Sequence, residues 1–168
     1  MLSTTPFEIP ADLLEKARGL SPIPMAVAGA GHPLVMESAR QAADAGLIEP
    51  ILVGGARDIG AIAGNMGWDV SQIRIVATDG EDGACRTAAA LASGNEVAAL
   101  MKGHVHSDAL MRAVLNREAG LRTGRRASHV FHMTVPGRSR VLFITDAALN
   151  VAPDTEAMLD IIQNAVDV

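Results

Sequence analysis

The segment from Leu100 to Asn150 gathers residue types that bind anions. Lys102 and Gly103 close an apolar run, His104 and His106 follow, and Ser107 stands at a helix start. Gly103 allows close backbone approach to a ligand, and Ser107 can cap the helix while its first N–H groups stay available to an anion. Arg112 lies one helical turn beyond Asp108, on a face adjoining that helix start. From Arg112 to Arg126 there are five arginines, including Arg117, Arg122 and Arg125, against the single acid Glu118. That is a net +4 in a chain whose formal net charge is −5. Guanidinium forks suit bidentate contact with phosphate. The competing reading is a solvated basic loop bridged to acidic neighbours. Asp146 and Asn150 follow an apolar run and can hydrogen-bond a ligand or cap a turn.

Other chemistry-bearing residues point to less. His104 with His106 and His129 with His132 invite a metal, but residues three apart on a strand face opposite ways. No thiolate or paired carboxylates complete a ligand set, so no metal site is expected. The single Cys85 cannot form an internal disulfide; it reads as a small buried residue in an Ala-rich helix and fits a reducing cytoplasm. Gly29-Ala30-Gly31 follows a strand and precedes a helix, where free N–H groups can cradle a phosphate. Leu34 stands where the dinucleotide fingerprint needs its third glycine, so a tight turn is expected. A Rossmann-type nucleotide domain would rest on Gly29 and Gly31 alone. Gly54-Gly55 is a weaker version of the same pattern.

These residues need elements to position them. Behind Pro10, Ala11 to Arg18 reads as a short helix. Strands are expected at Met25–Ala28, Ile51–Val53, Arg74–Ala77 and Ala98–Lys102. Helices are expected near Leu34–Ala45, Arg57–Met66, Gly83–Ala92 and Ser107–Arg117. The alternation predicts a three-layer α/β/α fold with a mainly parallel sheet. The pattern then changes. Ser128–Thr134 and Arg140–Thr145, separated by a turn at Val135 to Ser139, predict an antiparallel hairpin near residues 128–145 attached to the sheet. Thr155–Val166 reads as a last helix with Met158, Leu159, Ile162 and Val166 on one side. In an open parallel sheet ligands bind beyond the carboxyl ends of strands, which is where Lys102-Gly103 falls.

Composition fits one folded domain over residues 1–168. Hydrophobic residues make up 49% and charged residues 20%, and a chain of this length buries about 70% of the surface it exposes when unfolded. Three Phe, one Trp and no Tyr leave little for stacking bases, and the negative net charge argues against a general polyanion binder, so no nucleic-acid partner is expected. No segment approaches the roughly 18 apolar residues of a membrane span.

The ordered series LMKGHVHSDALMRAV, GLRTGRRASHVF, TDAALNVAPD and DIIQNAVDV resembles the phosphate acetyltransferase and phosphate butyryltransferase family, and IEPILVGG is similar to that family's second strand. The likeness covers about Ile48 to Val168, with a weaker match from Ile23. It implies reversible acyl transfer between coenzyme A and inorganic phosphate, without a metal or redox cofactor. Acyl-CoA with phosphate, or acyl phosphate, would be the partners. By motif position, Arg112 matches a family arginine at the substrate site, and Lys102, Gly103, His106 and Ser107 match the turn beside it. Relatives often carry Thr or Ser in place of His106. Arg122, Arg125 and Arg126 are candidate phosphate or coenzyme contacts, with at least one expected as a structural ion-pair partner.

The same resemblance sets limits. The family chain is about twice as long, with two α/β domains, and this chain is expected to end where the second begins. The family's catalytic Ser-Arg and Asp region would then lie outside it, so no catalytic residue is expected here. Asp79 to Arg86, DGEDGACR, departs from the family pattern. A non-catalytic coenzyme A- or phosphate-binding or assembly module is the alternative. The apolar side of the last helix predicts a homo-oligomer.

Overall fold

The computed structural model describes residues 10–135, 141–146 and 148–168, and the chain divides between Arg122 and Thr123 into two compact units. In the first, α1 (Ala11–Arg18) precedes β1 (Ile23–Ala28), α2 (Pro33–Asp44), β2 (Ile48–Gly54) and α3 (Ala56–Met66). Then follow β3 (Ile75–Ala77), α4 (Gly80–Ser93), β4 (Ala99–Lys102) and α5 (Ser107–Val114). The four strands are parallel in the order β3-β2-β1-β4. Side chains alternate across the sheet as strand geometry demands. Ala26, Ala28 and Val53 pack with Ala84, Cys85, Ala88 and Leu91 of α4 and Ala109 and Leu110 of α5. Val27 and Leu52 pack on the other face with Met36 and Ala39 of α2 and Ile59 and Ala63 of α3. Three layers result, with aliphatic residues filling both interfaces.

β2 runs longer than its apolar run because Pro50 is tolerated. The Leu52 amide donates to Arg74 on the β3 side, so the missing N–H of Pro50, two residues earlier, falls on that side before β3 begins. α4 begins at Gly80, three residues before the expected Gly83, so Glu81 and Asp82 stand in its first turn. α5 stops at Val114. Asn116 then turns the chain by accepting from the Glu118 amide at 3.0 Å, and Arg117–Ala119 forms a 3-10 turn rather than extending the helix.

The second unit holds β5 (Phe131–Thr134), β6 (Val141–Ile144) and α6 (Thr155–Asp167). β5 and β6 are antiparallel, with Phe131 opposite Ile144 and Thr134 opposite Val141. The expected hairpin is present, but its attachment to the parallel sheet is corrected: among the described residues the pair is a sheet of its own. Alternation and turn chemistry fix which strands pair locally, not what the pair docks against. Of the expected turn, Pro136 to Ser139 lie outside the described residues, as does Arg140. β5 starts three residues later than expected because side chains replace the ladder there: His129 N–H donates to Asp146 and the Thr145 hydroxyl to the His129 carbonyl. Asp154 caps α6 by accepting from the Ala157 amide at 2.8 Å. No helix among the described residues is long and apolar enough to cross a membrane.

Candidate functional site

The strand order reverses between β1 and β4, so the crevice beyond their carboxyl ends is the switch point of this sheet. Its floor is tightly made. Gly29 and Ala30 both donate to the Val53 carbonyl, at 2.9 and 3.0 Å, which takes from the Gly29-Ala30-Gly31 turn two of the donors a phosphate would need. Gly29 has φ +73°, and a side chain there would strike Val105. The turn reading of this glycine pattern holds.

Gly103 and His104 prolong the ladder, donating to Ala28 and Gly29 at 2.9 and 3.0 Å. A Cβ on Gly103 would collide with the Ala28 carbonyl, lie 2.7 Å from the Gly29 carbonyl and 3.0 Å from Val35. The glycine is therefore required by the approach of the chain to itself. Lys102 precedes it, exposed at the strand end. The rings of His32 and His104 stack at 4.4 Å and 16°, and His32 Nδ1 accepts from the Leu34 amide at the start of α2.

His106, not Ser107, occupies the N-cap position of α5, and no side chain of α5 caps it. Ser107 is the first helical residue, exposed on the same turn. The carboxylate of Glu81, in the first turn of α4, accepts from the His106 amide, and its oxygens lie 2.9 and 3.0 Å from His106 Nδ1. Its hydrogen bond from the His106 amide, then that from the ring, holds the Glu81 carboxyl below its usual range. The same carboxylate raises the His106 imidazole above its usual value. Arg112 reaches back along α5 to Asp108 at 2.9 Å, with both side chains largely exposed. Lys102, Gly103, His106, Ser107 and Arg112 thus belong to β4, α5 and the turn between them. Arg122 is exposed near the end of the first unit.

The remaining predicted residues belong to the second unit. Arg125 donates to Asp167 at 2.5 Å and to Asn164 at 3.3 Å, and so among Arg122, Arg125 and Arg126 it is the one with an ion pair among the described residues. That pairing lowers the Asp167 carboxyl. Arg126 uses its backbone on Asp160 and Asn164, while among the described residues its guanidinium has no hydrogen-bonding partner. It lines a hollow of about 240 Å³ with residues 149–154 and Ala157. Asp146 accepts from the amides of His129, Leu149 and Asn150 and from the Asn150 side chain, which also donates to the Ala127 carbonyl. Partial burial alone would raise the Asp146 carboxyl, but these donors outweigh it and the group titrates below its usual range. Both residues shape the turn that borders the hollow.

The histidines engage separate partners. His104 stacks on His32, His106 meets Glu81, and His129 and His132 pack edge-on against Phe131 and Phe143. No cluster of three potential metal ligands occurs among the described residues. Cys85 is buried, which raises its thiol pKa. Glu81 and Asp108 were not among the expected site residues. Acids in a first helical turn are a recognisable signal, but Gly80 and Gly83 disguised the start of α4.

A four-stranded parallel sheet between two helical layers, with its switch point between β1 and β4, defines the class: a doubly wound α/β protein. Residues 80–168 match the phosphate acetyl/butaryl transferase family, and the chain belongs to it. It is 41% identical over 159 residues to a phosphate acetyltransferase of Rickettsia felis, covering 93% of this chain and 45% of that protein. A Rhizobium meliloti phosphate acetyltransferase is 43% identical over 92% of this chain and 49% of its own length. A Clostridium acetobutylicum phosphate butyryltransferase is 36% identical over 94% and 52%. The chain spans about half the length of these curated relatives. A phosphotransacetylase structure from Streptococcus pyogenes superposes with a TM-score of 0.75 over 90% of this chain and 54% of its own, at 17% identity, a likeness of fold.

Proposed function

We propose that this chain contributes one wall of a cleft that transfers an acetyl or short-chain acyl group between coenzyme A and inorganic phosphate. In the direction of acyl-CoA formation the coenzyme thiol loses its proton, its sulfur bonds the acyl carbon, and the bond from that carbon to the phosphate oxygen breaks. Inorganic phosphate leaves, and the reverse reaction uses the same atoms. Such a wall has to neutralise phosphate charge and leave the carbonyl reachable.

The observation that carries this reading is the family match over residues 80–168, which includes β4, α5 and the turn bearing Lys102, Ser107 and Arg112. Lys102 and Arg112 supply positive charge, and the amino end of α5 supplies N–H groups and a favourable dipole. Gly103 sets the path of the turn and His106 anchors it. Arg122 adds charge. In the second unit Arg126 is the anion contact, Asp146 and Asn150 shape its hollow, and Arg125 holds α6. Coenzyme A enters as substrate, and the reading calls on no metal or redox cofactor. No catalytic group is assigned among these residues, so the isolated chain binds better than it turns over. A non-catalytic coenzyme A-binding or assembly module is the second reading. Self-association through the apolar side of α6 completes the proposal.

Calorimetry with coenzyme A on the wild type and Arg112→Ala tests the wall, and loss of a charge-assisted phosphate contact should weaken binding about tenfold. Unchanged binding removes the site. An assay of coenzyme A consumption with acetyl or butyryl phosphate tests the rest, since full turnover by the 168 residues would refute the claim that they lack catalytic groups.

A further inference from the structure

Helices often satisfy the N-cap backbone N–H with a carboxylate at the third helical position. In α5 that position is Ala109, which has none. Glu81 supplies the carboxylate from α4, twenty-five residues away in sequence, and grips the ring of His106 as well as its amide. The gripped residue links Gly103, which is fixed against β1, to Ser107, where α5 begins. One side chain therefore fastens the loose end of the turn that carries the proposed anion contacts.

We propose that Glu81 is a positioning residue for the anion-binding end of α5, and that the charge on His106 sets the strength of its hold. The proposal rests on the reading of β4 and α5 as an anion-binding wall. With His106 protonated, the carboxylate is neutralised and the turn is held. With His106 neutral, the hold weakens and the Glu81 carboxylate, now offset only by Arg112, stands beside the seat of an anionic ligand.

The charged groups around the pair are few. Glu81 and Asp108 favour the protonated ring and Lys102 opposes it, with the Glu81 hydrogen bond the largest influence. His106 and Arg112 face the Glu81 carboxylate. Because the His106 pKa is raised, its contribution is complete below the ordinary 6.5 and is lost as pH rises through the folded value. Because the Glu81 pKa is lowered, its contribution is complete above 4.5 and is lost as pH falls through the folded value. The hold is complete between those ordinary values and fades on either side.

NMR titration of the His106 ring and the protection factor of its amide, in the whole chain and in Glu81→Gln, read the hold without any ligand. The ring should titrate above its ordinary value in the wild type and fall back toward it in the variant, with amide protection reduced about two- to fivefold, the scale of an exposed ion pair. Identical titration and protection in both proteins would overturn the proposal. Coenzyme A affinity at about pH 6 and about pH 8.5 then reads positioning, with the ionisation of the coenzyme common to all proteins. Wild-type affinity should fall about two- to fivefold more than that of Glu81→Gln over this range. His106→Asn, which keeps the backbone N–H but cannot titrate, should lose the extra pH dependence, with its amide protection held at every pH near that of the wild type with a neutral ring. An equal fall in wild type and Glu81→Gln overturns the positioning role even if the ring titrations differ. If coenzyme A fails to bind the wild type at either pH, the proposed wall fails, and the positioning role with it; the NMR comparison then separates that failure from the coupling itself.

Discussion

The amide of Gly103 donates to the carbonyl of Ala28 at 2.9 Å, and the two backbones run so close that no side chain fits between them. The turn carrying the candidate site is thereby tied to the central strand of the sheet. Glycine at this position serves the protein's own packing.

Gly103→Ala follows directly. The new methyl would press on the Ala28 and Gly29 carbonyls and on Val35, and backbone cannot swing aside as a flexible side chain can. A loss of about 1–3 kcal/mol is expected, the usual cost of overpacking. Urea unfolding measures it, and an unchanged midpoint would contradict the steric account.

Asp146 makes the second unit sensitive to acid. Its carboxyl is held below the ordinary 3.8 by its N–H donors despite partial burial, so its contribution is complete above that value and disappears as pH falls through the folded one. Amide exchange of His129 and Asn150 should speed up below about pH 4 in the wild type. Asp146→Asn should exchange faster at neutral pH, by about 1–2 kcal/mol of lost hydrogen bonding, without the acid step. A variant indistinguishable from wild type at neutral pH would show that these bonds hold nothing.

Adjacent arginines should behave differently. Arg126 faces the hollow with its guanidinium unpaired among the described residues, whereas Arg125 is bound to Asp167 and Asn164. Arg126→Ala should weaken coenzyme A binding about five- to tenfold, while Arg125→Ala should mainly loosen the end of α6. Calorimetry beside amide exchange of α6 separates the two effects. Equal losses of affinity would place both arginines on the ligand.

Met158, Leu159, Ile162 and Val166 leave one side of α6 apolar, with Leu159 65% and Val166 71% exposed. Sedimentation over a range of concentrations should reveal self-association, and Ile162→Glu should abolish it. A monomer at every concentration would refute this.

Much of the fold was legible because it is local. α1 falls where its pattern placed it, and α2, α3 and α6 within a residue or so, since helical periodicity and end signals lie within each segment. Pro50 hid half of β2, because its tolerance depends on where β3 begins and not on the run containing it. Of the candidate site, the β4 end and the basic cluster could be read from residue types alone. The hold of Glu81 on His106 could not: it joins two helices across a sheet crossover, and no local period records such a meeting. The division of labour between Arg125 and Arg126 was equally hidden, because it depends on which guanidinium finds a carboxylate on α6.

The strand order also sets a sequence of events. β1 must reach only from Ile23 to Ile48 to pair with β2, but Met25 must wait for Ala99 before its other edge is covered. Closing the longer loop costs more chain entropy, so β4 is expected to dock after the β1–β2 unit has formed. As the chain leaves the ribosome, β1 therefore carries a bare, aliphatic edge until β4 arrives. That interval is when the protein is most exposed to pairing with the wrong strand, and the turn bearing Lys102 to Ser107 comes into being only as it ends.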